Sequence, residues 1–209
     1  VHNSAMGKQA VGTPFTNYNQ MMTGTHHVMQ HNQKPLALSR AACILNFDKL
    51  PAGQMATVLV APRPKGEEDS LIFNRSSVDM GFMVSYRYTN IFSECREAGD
   101  IFGKPTEEGC EKWKGDARWV NDMGFARKGA KLELGDVIIC KLTPARHEYS
   151  DPLTGGGNTP PKMYTVSTVT YDQAIPGVVH RIQMGYTGDG FRYIRIQICQ
   201  RRPPVVADK

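Results

Sequence analysis

The strongest constraint on the fold is a series of short apolar runs of strand length, separated by segments rich in Gly and Pro. The chain holds 20 Gly and 13 Pro, and only 22% of its 209 residues are charged. This composition suits many short strands joined by turns better than long Glu/Lys/Ala-rich helices. The pattern therefore predicts a mainly β fold.

About eight predicted strands show this pattern. The sequence shows no alternation of strands with long helices, so a parallel sheet is not indicated. The last of them alternates an Ile-rich face with a mixed aromatic and polar face, and a Gly- and Asp-containing turn at 187–190 joins it to the strand before it. We expect an antiparallel two-sheet sandwich, of the jelly-roll or another Greek-key type. The predicted strands are 36–47, 54–62, 71–80, 81–92, 131–144, 163–171, 177–186 and 191–200.

The chain divides into three predicted parts. Residues 36–200 form the β-sandwich domain, with an insertion at 93–124 that carries one short helix around 106–114. Residues 150–162 form a Gly- and Pro-rich loop. Paired prolines predict an extended C-terminal tail at 201–209.

Residues 1–35 form a predicted extended N-terminal arm, since no hydrophobic period of 2 or 3.6 persists there. The segment is poor in aliphatic side chains, so it cannot build a core of its own. We expect another surface to hold it in place, either its own domain or a neighbouring copy.

Basic charge is concentrated at the two ends of the chain. Residues 1–47 contain three basic and no acidic side chains, and residues 190–209 contain five basic and one acidic. Charge placed in this way favours contact with a polyanion, although solubility alone also explains it. The predicted contacts with nucleic acid or with a neighbouring copy are Lys8, Lys34, Arg40, Arg192, Arg195, Arg201 and Arg202.

Arginines alternate with aromatic residues in the segment 191–202, as on surfaces where bases stack and phosphates meet guanidinium groups. An edge strand protected by its Arg side chains is the competing interpretation. Trp113 and Trp119 are candidate ligand-platform aromatics, with the core as the alternative place for both rings. Asn74 begins an Asn-Arg-Ser sequence and is a candidate glycosylation site.

Five cysteines in a chain of this size do not indicate a disulfide framework. Cys43, Cys140 and Cys199 lie in apolar runs and are predicted to be buried free thiols. Cys95 and Cys110 flank a polar stretch, so a bridge between them and two free thiols both remain open.

No catalytic residue, cofactor or metal site is predicted. The densest imidazole group is His26, His27 and His31, and no Cys, Asp or Glu lies nearby to complete a metal site. Serine-nucleophile, zinc-protease and phosphate-loop motifs are absent from the sequence. Adjacent acids such as Glu107 and Glu108 are better explained as a solvated face.

The sequence therefore predicts a self-assembling structural subunit, either a small jelly-roll coat (capsid) protein or the repeating unit of an extracellular fibre. Its partners are copies of itself, held by exchange of terminal arms, and nucleic acid at the basic termini. A virion or extracellular location follows from this hypothesis. A β-sandwich binding module for a glycan or protein is the first alternative, and an enzyme whose site the sequence does not reveal is the second.

Overall fold

In the computed structural model, residues 8–62, 71–145, 163–206 and 208 are described. The loop predicted at 150–162 lies outside them. The chain forms two compact units, which are treated separately below. Unit 1 comprises Val1–Thr89 and Gln200–Lys209, and unit 2 comprises Asn90–Cys199.

The protein is mainly β, as the sequence predicts, and its strands form two antiparallel sheets. In the described part of the chain, one sheet has the order β1-β2-β8-β7-β4 and the other the order β3-β5-β6. The strands are β1 (His26–Met29), β2 (Ser85–Glu94), β3 (Ile101–Phe102), β4 (Lys131–Leu132), β5 (Val137–Pro144), β6 (Tyr164–Thr170), β7 (Gly177–Tyr186) and β8 (Arg192–Arg202).

The strands predicted at 36–47 and 71–80 are wrong, because a short helix forms in each of these segments. Helix α1 (Arg40–Ile44) and helix α2 (Arg75–Asp79) each begin after a residue whose side chain caps the helix. Ser39 Oγ accepts a hydrogen bond from Ala42 N at 3.2 Å, and Asn74 Oδ1 accepts one from Ser77 N at 3.3 Å. These caps satisfy backbone donors at the first turn, so local hydrogen bonding outweighs the strand propensity of the apolar residues.

Two further expectations for local structure fail. The helix predicted around 106–114 is absent, because this stretch forms turns and Glu111 N donates instead to the carbonyl of Tyr164 at 2.9 Å. The segment 54–62 joins no strand ladder. The predictions for β5, β6, β7 and β8 are confirmed, including the turn at 187–190, which Gly190 closes by donating to the carbonyl of Thr187 at 2.9 Å.

In unit 1, the described part of the N-terminal arm packs against its own chain. Strand β1 pairs with β2, and Thr13 N donates to the carbonyl of Pro51 at 3.1 Å. The His26 ring stacks on Tyr88 with ring centroids 5.0 Å apart. Of the two surfaces expected to hold this arm, its own domain or a neighbouring copy, the structure shows contacts with its own unit for these residues. The boundaries drawn at 35 and 201 remain a prediction.

In unit 2, the main core cluster is built largely from Ile and Leu side chains of the sheets. Ile194, Ile196 and Ile198 point from β8 into this cluster and are at most 2% exposed. A second cluster surrounds the buried Cys110 and Cys140. Burial, with a smaller effect of Cys110, raises the pKa of Cys140 to about 12, so its thiol stays protonated and serves as a small apolar group.

All five cysteines are free, so Cys95 and Cys110 are not bridged. The prediction of burial is confirmed for Cys140, whereas Cys199 is only half-buried. It is wrong for Cys43, which is exposed because its segment forms α1 rather than a core strand.

Asp100 anchors a polar network inside unit 2. Its carboxylate accepts a hydrogen bond from Thr143 Oγ1 at 2.7 Å and lies 3.2 Å from Lys141 Nζ. Burial by itself raises the pKa of Asp100, but the hydrogen bonds from Thr143, the Glu97 backbone and Lys141 outweigh it and lower that pKa. The network thus joins the turn before β3 to strand β5 by a charged contact that needs both partners.

Asp100→Asn is expected to lower the free energy of unfolding by about 2–4 kcal/mol, because it leaves the largely buried Lys141 ammonium without its counter-charge. Urea unfolding followed by tryptophan fluorescence measures this loss. The lowered pKa means that the wild-type contribution is present above the ordinary value of 3.8 and is lost as pH falls through the folded-state pKa.

Asp79→Asn is the matched control, since it breaks an ion pair to Arg75 in which both side chains are exposed. Its expected cost is under about 0.5 kcal/mol. Equal losses in the two variants would contradict the structural role assigned to Asp100.

Candidate nucleic-acid interface

Strand β8 presents two chemically different faces, as its sequence alternation predicts. Ile194, Ile196 and Ile198 enter the core of unit 2. Tyr193 and Arg195 alternate with them and are only half-buried. Because successive side chains of a strand point to opposite sides of the sheet, burial of the Ile face places Tyr193 and Arg195 on the outer side.

Three side chains form a cluster on this outer side, which we call the β8 platform: Phe92, Tyr193 and Arg195. The Phe92 and Tyr193 rings have centroids 5.7 Å apart and planes inclined at 33°. The guanidinium carbon of Arg195 lies 5.5 Å from the centre of the Phe92 ring and 6.0 Å from that of Tyr193. Phe92 is 46% exposed, so the cluster is open to solvent at one edge.

Gly185 on β7 lies beneath the ring of Tyr193. The two residues are opposite each other in the β7–β8 ladder. A Cβ atom at Gly185 would lie 3.0 Å from two atoms of the tyrosine side chain, Cε1 and the hydroxyl oxygen. The missing side chain therefore lets the ring lie across the neighbouring strand, as aromatic residues do over glycines in sheets.

The β8 platform combines the two chemical features used for binding single-stranded nucleic acid without base selectivity. Aromatic rings offer flat faces for base stacking, and a guanidinium group offers charge and hydrogen-bond donors to phosphate. Arg195 already lies against both rings, so its orientation is partly fixed before any ligand binds. The cluster holds no group arranged for proton transfer or nucleophilic attack.

The structure places the predicted basic contacts on both units. Lys8, Lys34, Arg40, Arg201 and Arg202 are exposed residues of unit 1, and the exposed Arg192 and half-buried Arg195 belong to unit 2. Arg195 is the only one of these seven that the described contacts place within the aromatic cluster. Their role as nucleic-acid contacts remains a prediction.

The two tryptophans lie against the cores rather than on an open surface. Trp113 packs on the cluster around Cys110, and Trp119 packs on the main cluster with the Arg118 guanidinium 5.7 Å from its ring centre. Asn74 is exposed, but its side chain caps α2. The ligand role of the tryptophans and the glycosylation of Asn74 stay predictions.

Neither a metal site nor a membrane-spanning helix is found in the part of the chain that the structure describes. No group of three or more His, Cys, Asp or Glu side chains there could hold a metal ion. Nor does any described helix have the length and apolar character required to span a membrane.

The whole chain, residues 1–209, matches the family model described as RNA polymerase Rpb2, domain 6. The chain belongs to this family. It is 30% identical to DNA-directed RNA polymerase II subunit 2 of Arabidopsis thaliana, with all of this chain and 18% of the relative covered.

Relatives of the same kind occur in other lineages. The chain is 30% identical to the RNA polymerase III subunit RPC2 of Schizosaccharomyces pombe over 98% of its length. It is 29% identical over its full length to subunit Rpo2 of Saccharolobus solfataricus. It spans only 18% and 19% of these two relatives, so it corresponds to less than a fifth of a polymerase subunit.

Family membership corrects the functional predictions made from the sequence. The chain is not a coat or fibre subunit, and exchange of arms between copies of itself is not supported. The expected virion or extracellular location is therefore also wrong. The expectation that the chain is not an enzyme is contradicted too, since its relatives are subunits of DNA-directed RNA polymerases.

Sequence reasoning found part of the β8 platform and missed the rest. The alternation of Arg and aromatic residues identified Tyr193 and Arg195, but Phe92 lies about a hundred residues earlier on β2. Only strand order brings it beside β8, and strand order cannot be read from local patterns. The single usable signal for Gly185 was an isolated glycine inside a predicted strand, which often marks a close approach.

Gly185→Val is expected to displace the Tyr193 ring and to lower the free energy of unfolding by about 1–2 kcal/mol, the combined size of an aromatic pair and a cation–π contact. Chemical denaturation measures the change. Gly188→Val is the matched control, because a Cβ at Gly188 meets no atom within 4 Å. Equal effects at the two glycines would show that the close approach of Tyr193 is unimportant.

Proposed function

We propose that this chain is part of the second subunit of a DNA-directed RNA polymerase and that its β8 platform contacts the nucleic acid. The observation that carries the first half is the match of all 209 residues to a single family model. Relatives at about 30% identity bear polymerase names across plants, yeasts and archaea, which supports the same assignment.

The second half rests on the geometry of Phe92, Tyr193 and Arg195. A polymerase substrate supplies both bases and phosphates, and the platform supplies a partner for each. The net charge of +5 favours association with a polyanion.

The competing binding-module hypothesis is less well supported. It relies on Trp113 and Trp119, whose rings pack on the cores of unit 2. We also propose that the two sheets pack face to face as a sandwich, and an experimental structure of the chain tests this arrangement.

Tyr193→Ala is expected to weaken the binding of a labelled single-stranded oligonucleotide by roughly 5- to 150-fold, the range for loss of one base–aromatic stack. Fluorescence anisotropy at fixed pH and ionic strength measures the dissociation constant of the full 209-residue chain. Arg195→Gln is expected to weaken binding as well and to reduce its salt dependence.

Tyr186→Ala is the matched control, because Tyr186 is a 70% exposed tyrosine of the same unit that lies outside the platform. We expect its affinity to equal that of the wild type. If the two tyrosine variants bind equally, or if the wild-type chain binds no nucleic acid, the proposed contact is wrong.

A further inference from the structure

Unit 1 carries an apolar segment that the described part of the chain leaves uncovered. Residues 54–62, with the sequence QMATVLVAP, join no strand ladder there, and we call them the open segment. Val58, Leu59 and Val60 follow one another along this segment and are 75% to 93% exposed. Consecutive apolar residues are typical of a strand that is buried on both faces. The open segment therefore has the sequence of an interior strand without the cover that such a strand needs.

A second apolar segment adjoins the open segment through a cavity. Leu71, Ile72 and Phe73, just before the cap of α2, are also exposed. The Phe73 ring meets the Phe82 ring edge-on, with centroids 5.5 Å apart. Phe82 and Met55 of the open segment both line a cavity of about 290 Å³. The cavity thus connects the two apolar segments into one surface.

Glutamine side chains hold the backbone around this cavity in place. Met55 N donates to Gln33 Oε1 at 2.6 Å, and Met83 N donates to Gln54 Oε1 at 2.8 Å. Met80 adds a largely exposed side chain to the lining. Methionine adapts to apolar groups of varied shape. The cavity lies at the small end of the volumes that hold whole small molecules, so it suits a single apolar side chain.

The chemistry of this surface fits a polypeptide better than a nucleic acid. Residues 51–62 and 71–73 contain no charged side chain and no histidine, so they offer nothing to a phosphate. Among the residues that the structure describes, the backbone of 56–62 makes no hydrogen bond. An added strand supplies partners for these backbone groups, and its side chains cover the apolar residues.

We propose that the open segment pairs with a β-strand from the part of the polymerase subunit that lies outside these 209 residues. One apolar side chain of that strand enters the cavity. This inference rests on the proposed function, because it takes the chain to be part of such a subunit. The chain spans only 18% of its Arabidopsis relative, so most of a subunit of that kind is available to supply the strand.

Photocrosslinking in the assembled polymerase identifies what covers the open segment. A photoreactive diazirine amino acid replaces Leu59, and the polymerase is purified through a tag on another of its subunits. After irradiation, mass spectrometry is expected to find a crosslinked peptide of the same subunit from outside the 209 residues. A peptide from within the 209 residues, including a second copy of them, overturns the proposal. So does a peptide from a different subunit, or no crosslinked peptide.

The same photoreactive amino acid at position 134 is the matched control, because Leu134 is a 69% exposed leucine of unit 2. We expect position 134 not to yield the peptide found from position 59. The same peptide from both positions would show that the contact is not specific to the open segment, and would overturn the proposal.

Hydrogen exchange measures the backbone pairing without any variant. In the isolated 209-residue chain, the amides of the open segment from 56 onward are expected to exchange almost as fast as in an unfolded peptide. In the polymerase we expect them to exchange at least about 100-fold more slowly, since strand pairing protects amides. Amides of β2 that pair with β1 should be protected in both samples. Equal rates for the open segment in the two samples contradict strand addition.

Leu59→Asp tests whether the apolar contact is needed for assembly. The variant is expected to reduce incorporation of the subunit into the polymerase by about tenfold or more, because a carboxylate would be buried without a partner. The urea midpoint of the isolated chain should not change, since Leu59 is exposed there. Leu134→Asp should assemble as the wild type does. Normal assembly of Leu59→Asp, or a lowered urea midpoint of its isolated chain, overturns the proposal.

These outcomes separate the strand pairing from the proposed function. If the wild-type chain is absent from the purified polymerase, the proposed function is wrong and the strand pairing is wrong with it. If the chain is present but position 59 yields no peptide of the same subunit, only the strand pairing is wrong.

Discussion

The two-faced character of β8 is the constraint on which the rest of unit 2 depends. Burying Ile194, Ile196 and Ile198 removes their apolar surface from water, each contributing about 1.5–3 kcal/mol. A slip of one residue in register would exchange the two faces, exposing the Ile side chains and burying Arg195. The same force that builds the core therefore fixes which side chains remain outside. The platform is a consequence of core packing and needs no separate folding device.

Much of the sheet could be predicted from the sequence, and the reason is local. Strands β5 to β8 carry periodic apolar patterns bounded by Gly and Pro, so each can be recognised from about a dozen residues of sequence. The segments 36–47 and 71–80 carry similar apolar content but become α1 and α2. There the decisive signals were the capping residues Ser39 and Asn74, which the apolar pattern concealed. In these two segments the capping hydrogen bonds, and not the apolar content, decide the local structure.

The functional surfaces were less predictable because they depend on strand order and register. Phe92 meets Tyr193 only after β2 and β8 have become neighbours. The basic charge at both ends of the sequence is visible, and it predicts contact with nucleic acid or with a neighbouring copy. The described arm residues pair within their own unit, and the whole chain belongs to the RNA polymerase Rpb2, domain 6 family. An arm poor in aliphatic residues can thus be held by backbone pairing, through β1, and by a few aromatic contacts.

Crosslinking can test whether the outer face of β8 touches nucleic acid, as we propose. The most direct measurement places a photoreactive benzoyl-phenylalanine at position 193 and, separately, at position 186 of the full chain, followed by irradiation with a labelled oligonucleotide. We expect a covalent protein–nucleic-acid product from position 193 and little or none from position 186. Equal products from both positions, or no product from position 193, would show that the proposed contact is wrong.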